Sequence, residues 1–341
     1  MKKSRPFVAG CFAAAAMGVL ILDSKTAVAG AQKGLFLCIE TIIPSLFPFF
    51  LLSNFLTDIV SGHNIPFAAP FLRIFRISPG SEGLLLTGLL GGFPIGAQCV
   101  SHSFEKGSIS AENAERMLII CNNCGPAFLF GMAASIFKEW YIPWFLWAIQ
   151  VASVLMSAAL IPGIPSTVTP GRSSQASLPA ALQRSLRSLA TVCGWVILFR
   201  IVITFLDVWI LWLLPTELQC AITGIFELSN GCFDLVRIRN TGLRFVLCAG
   251  ILNFGGICVF LQTFSIISPR LNTRMYFPGK VFQSCFSMML SCCVQSIILP
   301  QENSWHPPLW IGLIAFTVMI FVALILRKSK NKCSICQPIG V

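Results

Sequence analysis

The sequence predicts an all-α polytopic membrane protein, an inverted repeat of about eight transmembrane helices plus two re-entrant or broken helical hairpins. Three observations carry this. The chain of 341 residues is 55% hydrophobic and only 11% charged, with a mean hydropathy of +0.80, whereas a soluble protein carries about 25% charge. Apolar runs of about 18 residues or more recur from end to end, each long enough to cross a bilayer core. Two of those runs are broken near their middles, at Asn122-Asn123-Cys124-Gly125-Pro126 and at Asn253-Phe254-Gly255-Gly256.

Composition also excludes function classes. The chain has 24 Lys+Arg against 13 Asp+Glu, a net charge of +11. The basic residues lie mostly in short loops and tails, so membrane orientation explains them and no nucleic-acid partner is expected. Of the fifteen cysteines, most, such as Cys193, Cys248, Cys258 and Cys285, sit inside apolar runs and read as small buried hydrophobes. A zinc site would need Cys121/Cys124 to meet Cys333/Cys336, one pair at membrane depth and the other in a basic tail, so no metal is expected. No cofactor is expected. His63, His102 and His306 lack metal or triad spacing, and there is no nucleophile elbow or phosphate loop, so the chain does not read as an enzyme.

Residues 1–33 are an N-terminal anchor and amphipathic lead. Lys2, Lys3 and Arg5 precede an apolar run at 7–22, and Ala27-Val28-Ala29 fits a signal-peptide cleavage site; an uncleaved first span is the preferred reading. Residues 34–161 form the first repeat. A helix over 34–57 carries Pro44 and Pro48, which imply a bend. The loop at 58–80 carries Arg73 and Arg76. Residues 81–104 contain Gly91-Gly92-Phe93-Pro94-Ile95-Gly96-Ala97-Gln98, which disfavours a straight helix and reads equally as a tight crossing or a second broken element.

Ser110 caps the run at 111–137, with Glu112 in its first turn. Pro126 has no amide hydrogen, and unsatisfied backbone costs several kcal/mol in lipid, roughly. The break must therefore lie within protein or line a wet cavity, as in transporter sites; a kinked helix with packed asparagines is the plain alternative. A span at 141–161 and a Pro/Ser/Gly-rich connector at 162–179 close this half.

The second repeat covers 180–299. An amphipathic start with Arg184 and Arg187 leads into a span to 206 that contains Arg200, costly there unless paired or snorkelling. The span at 215–232 carries Glu227-Leu228-Ser229-Asn230-Gly231. A basic loop with Arg237, Arg239 and Arg244 precedes the broken run at 245–267. Arg270, Arg274 and Lys280 precede a span at 281–299. Residues 300–341 hold a last span at 309–326 and a basic tail.

Positive residues predict cytoplasmic loops. Both basic clusters flanking 245–267 then belong inside, which a hairpin with Asn253–Gly256 at its tip satisfies. The same parity makes one run of the first half re-entrant. Residues 111–137 qualify, and 81–104 compete. A shift of 130 lays Asn123, Gly125 and Phe130 over Asn253, Gly255 and Phe260, and at a similar shift, of 136, Thr87-Gly88 lies over Thr223-Gly224. The expectation is an inverted repeat in the cell membrane, with its two tips meeting near the midplane and both termini cytoplasmic.

Several motifs occur together in order: Pro44-Ser45-Leu46-Phe47-Pro48-Phe49-Phe50, Gly92-Phe93-Pro94-Ile95-Gly96-Ala97, Glu115-Arg116 with residues 122–130, Glu227-Leu228-Ser229-Asn230-Gly231, and Phe254-Gly255-Gly256 with Gln262. In these the chain resembles the YlbJ-type sporulation integral membrane proteins of the nucleoside-recognition (Gate) family. The resemblance covers roughly residues 27–299. It implies kinship with concentrative nucleoside transporters, a cell-membrane location and a part in spore maturation. The cysteine enrichment and the Cys121/Cys124 pair depart from it.

The expected function is a transporter or solute-binding membrane protein for a small polar solute. Its candidate site is Asn122, Asn123, Gly125, Pro126, Gly92, Pro94, Gln98, Ser229, Asn230, Asn253, Gly255, Gly256 and Gln262. Side-chain amides suit a neutral polar solute, and freed backbone groups add ligands. Glu227 and Arg200 are coupling candidates, with a structural ion pair between them as the alternative. The alternative function is a non-transporting structural or assembly factor of the spore envelope. The lipid bilayer is the expected partner.

Overall fold

The computed structural model describes residues 4–60, 82–161, 177–300, 305–306 and 309–333. Arg73, Arg76, Arg172, Lys2, Lys3 and the end of the basic tail lie outside the described residues. Among the described residues the secondary structure is helical throughout. In order, the helices are α1 Ser4–Leu22, α2 Ser24–Leu37, α3 Ile43–Val60, α4 Glu82–Gly91, α5 Ile95–Glu105, α6 Ala111–Cys121, α7 Pro126–Ile136, α8 Ile142–Leu160, α9 Leu178–Trp209, α10 Thr216–Phe226, α11 Leu228–Asp234, α12 Thr241–Phe254, α13 Gly256–Ile266, α14 Tyr276–Ile298 and α15 Leu309–Cys333.

Six helical stretches are long and apolar enough to cross a membrane: Ser24–Leu56, Ala111–Ile136, Ile142–Leu160, Leu178–Trp209, Thr241–Ile266 and Tyr276–Ile298. Shorter apolar helices lie at Ala13–Leu22 and Ile311–Leu326. The first of the six joins α2 to α3 through a π-helical turn at Cys38–Ile42. Pro44 follows that turn directly and cannot donate a backbone bond, so the wider turn absorbs the missing donor. One helical stretch, Ser24–Leu56, thus runs continuously across residue 33. α9 packs along both α2 and α3, and a Cβ on Gly30 or Gly34 would lie 2.8 or 2.9 Å from the α9 backbone, which is the small-residue route to close helix packing.

The two expected hairpins are not where the backbone folds back. α8 runs alongside both α6 and α7. Trp144 stacks edge-on against Phe130 of α7 at 4.7 Å. Gln150 donates to the carbonyl of Cys124 at the break. Arg116 of α6 donates to the carbonyls of Ala158 and Ile161, both at 2.6 Å. One helix can touch all three points only if α6 and α7 follow each other end to end. The second half does the same: Ser287 and Ser284 of α14 donate to carbonyls of α12, while Tyr276 packs on Phe260 and Phe264 of α13. Both are helices broken at mid-length.

The fold-backs are α4–α5 and α10–α11. A Cβ on Gly88 of α4 or Gly96 of α5 would meet Cys121 at 2.5 and 2.1 Å, so both arms lie against one residue of α6. A Cβ on Gly231 of α11 would meet Gly224 of α10 at 2.1 Å, backbone on backbone. The competing segment of the first half is thus the hairpin, and residues 215–232 are not a simple span.

This changes which charged loops share an end of the bundle. Ser268 donates to Ser101, and Met275 to Glu115; Arg270 and Arg274 lie at that end. Arg244 donates to the carbonyl of Ile136, and Tyr141 to that of Ile298; Arg237, Arg239 and Arg244 lie at the other. Charge parity misled because two of these arginines, Arg237 and Arg244, are occupied in packing. Arg244 donates to three backbone carbonyls, and Arg237 donates to Gln219. Lys280, counted as a loop charge, is fully buried in α14.

Candidate functional site

Three helix breaks line one internal cavity. It is lined by Gly91 and Phe93 from the α4–α5 tip, Cys124 and Gly125 from the α6–α7 break, and Glu227, Leu228 and Ser229 from the α10–α11 tip. Val259 and Gln262 of α13 complete that side, and Ile42, Leu46, Phe128, Val192 and Val196 form the apolar wall. The cavity measures about 40 Å³, room for about three waters.

Each break has a local cause. Gly92 has φ +67° and Gly255 φ +86°, left-handed conformations that favour glycine. Pro126 opens α7 at its first position, where no amide hydrogen is needed. Glu227 caps α11 with its own side chain. Its carboxylate accepts from the Ser229 amide at 2.9 Å, from the Asn230 amide at 2.7 Å and from Asn230 Nδ2 at 2.6 Å. A carboxylate with acceptors on both oxygens suits three converging donors.

Of the sequence-predicted site residues, Gly125, Ser229, Gln262 and Glu227 line the cavity. Gly92, Pro94, Pro126, Asn230, Gly255 and Gly256 shape or flank its corners. Gln98 turns away, donating to Ser188 of α9 at 3.1 Å. Arg200 does not pair with Glu227: it donates to Asn230 Oδ1 at 3.2 Å and stands 3.9 Å from the Asp234 carboxylate, so Asn230 bridges the two. The three asparagines are buried in helix contacts rather than in the cavity wall. Asn122 donates to Thr263 at 2.8 Å and Tyr276 at 2.7 Å, locking the first break to the second half. Asn123 donates to the Ile120 carbonyl and Asn253 to the Ala249 carbonyl. The carbonyl oxygens of Asn122, Gln150 and Asn253 are buried without a partner.

Sequence reasoning missed the polar face of α14. Tyr276, Lys280, Gln283, Ser287, Ser291 and Gln295 are all buried. They recur every three or four residues, one side of a helix. That stripe was visible, but the span was begun at residue 281, one residue too late to include the lysine. Gln150 of α8, buried and donating to the Cys124 carbonyl, was missed for want of a neighbouring motif. Among the described residues, no three His, Cys, Asp or Glu side chains are grouped to hold a metal.

Comparison with known proteins agrees with the motifs. The chain is 26% identical over 333 residues to the sporulation integral membrane protein YlbJ of Bacillus subtilis (strain 168), covering 82% of this chain and 79% of that one. The YlbJ-type resemblance thus extends through most of both chains. No protein-family model matches, so the Gate-domain name gains nothing beyond the motifs. No solved structure matches the chain.

Proposed function

We propose that the chain is a transporter or solute-binding membrane protein for a small polar solute that acts in spore maturation. The observation that carries this reading is the shared cavity: breaks from both halves of the chain supply its lining. Broken helices are tolerated at membrane depth only where their freed backbone groups are held by protein or face a wet cavity. Gln262, Ser229 and the Glu227 carboxylate give that cavity donors and acceptors on apolar walls. The spore setting rests on the likeness to YlbJ.

An inverted repeat is part of the proposal. Its units are hairpin α4–α5 with broken helix α6–α7, and hairpin α10–α11 with broken helix α12–α13. In support, Gly88 packs on Cys121 and Gly224 packs on Ile251, and the shift of 130 carries Cys121 onto residue 251. The hairpins open toward opposite ends of the bundle. We place the end bearing Arg184, Arg187, Arg270 and Arg274 in the cytoplasm, with both termini. The exposed Trp140, Trp209 and Trp212 lie toward the other end, as an interfacial aromatic belt would.

The test is thermal unfolding of the purified protein against nucleosides, dipicolinate and other small anions. One class should raise the midpoint saturably, and Gln262→Ala should weaken that response. If no class stabilises the wild type, or if a stabiliser acts equally on Gln262→Ala, the reading falls.

A further inference from the structure

One buried cation takes no part in lining the cavity. Lys280 is fully buried in α14, and among the described residues no carboxylate pairs with it. Its Nζ donates to Asn123 Oδ1 at 2.6 Å and to Gln283 Oε1 at 2.9 Å. It also lies 5.4 Å from the ring centre of Phe93 and 5.8 Å from that of Tyr276, within the range at which aromatic faces attract a cation. The two amides that hold it are anchored on the last turn of α6. Asn123 donates to the Ile120 carbonyl, and Gln283 to that of Ile119 at 3.2 Å. α6 ends at Cys121, so its negative dipole end faces this point. Carboxyl ends of half-helices are where broken-helix membrane proteins hold ions.

The second half supplies an internal control. The shift of 130 that carries Asn123 onto Asn253 carries Gln150 onto Lys280. Packing agrees: Gln150 reaches the Cys124 carbonyl, and Ser284, one turn beyond Lys280, reaches that of Gly250, one turn before the second break. The second half therefore supplies an amine, at the first break, where its counterpart in the first half is a neutral amide. At the second break Asn253 Oδ1 is buried with no partner, as is Gln150 Oε1. Asn123 Oδ1 is satisfied through Lys280 alone.

We propose that the Lys280 ammonium is a tethered cation, standing where a free monovalent metal ion would otherwise neutralise the carboxyl end of α6, so that this position takes no sodium ion. The inference is independent of any solute crossing the membrane, because its readout is the cation dependence of stability.

The experiment measures thermal unfolding of the full chain in detergent, in sodium, potassium or choline chloride at equal ionic strength. The wild type should unfold at one temperature in all three. Lys280→Ala removes three methylenes and the ammonium, opening a gap beside two amide oxygens. Its midpoint should fall by several degrees in choline and recover saturably with sodium or methylammonium. A saturable gain of the wild type in sodium overturns the proposal, as does a Lys280→Ala protein indifferent to every small cation. Asn123→Asp and Asn123→Ala give a second reading that does not need the lysine removed. A carboxylate paired with an ammonium should keep the midpoint above that of Asn123→Ala, and a lower midpoint for Asn123→Asp overturns the proposal.

Discussion

Glu227→Gln is the most informative single substitution, because it separates the cap of α11 from any coupling role. The native carboxylate accepts three hydrogen bonds, one on Oε1 and two on Oε2, and is 2% exposed. Glutamine keeps one oxygen. It can hold the Asn230 pair, but its NH2 group then faces the Ser229 amide. A bond to a charged acceptor is worth about 1.5–3 kcal/mol, so losing the one to Ser229 costs about that much. Relief from burying a charge offsets part of this, leaving an expected net loss of about 1–2 kcal/mol. Denaturant unfolding in detergent micelles, following the single native state, gives the value. A loss under about 0.5 kcal/mol, no more than a neutral surface change, would refute the capping argument. Coupled uptake in vesicles gives the second readout: it should vanish in the variant, and unchanged uptake removes Glu227 from the coupling role while leaving the cap intact.

Two further predictions concern the architecture. Gly231→Ala should destabilise by at least the cost of overpacking, about 1–3 kcal/mol, because the new methyl would lie 2.1 Å from Gly224 backbone with no side chain free to move; an unchanged midpoint in thermal unfolding would show that α10 and α11 are not in contact. Arg239→Cys and Arg274→Cys, made separately in a background lacking the exposed Cys11 and Cys293, should react with an impermeant maleimide from opposite faces of the membrane. Labelling from the same face would return residues 245–267 to a hairpin.

The breaks themselves were legible, because glycine, proline and paired asparagines inside an apolar run leave few other readings. Asn122–Gly125 and Gly255 are interruptions in the structure as in the sequence. What they do was not legible. A break that turns the chain back and a break that lets it continue use the same residues. The difference lies in whether the flanking arms meet each other, as Gly231 meets Gly224, or meet a third helix along its length, as α6 and α7 meet α8. Charge parity was a poor substitute for that contact, since Arg244 is tied to backbone carbonyls and Lys280 to amides. The partners of the asparagines were not legible either: Asn122 joins the two halves through Thr263 and Tyr276.

By itself the sequence determined the class of molecule and the positions where its helices stop. Both follow from local chemistry: lipid admits only backbone that satisfies itself, a positive φ such as that of Gly92 or Gly255 cannot continue a helix, and Pro126 supplies no amide hydrogen. Only the tertiary structure decided which segments fold back, which polar side chains line the cavity and which one holds the buried lysine. Those outcomes depend on residues about 150 positions apart, such as Asn123 with Lys280 and Asn122 with Tyr276. Burial makes each such contact selective, because an unpaired amide or ammonium at that depth costs more than a pairing rearranged to satisfy it.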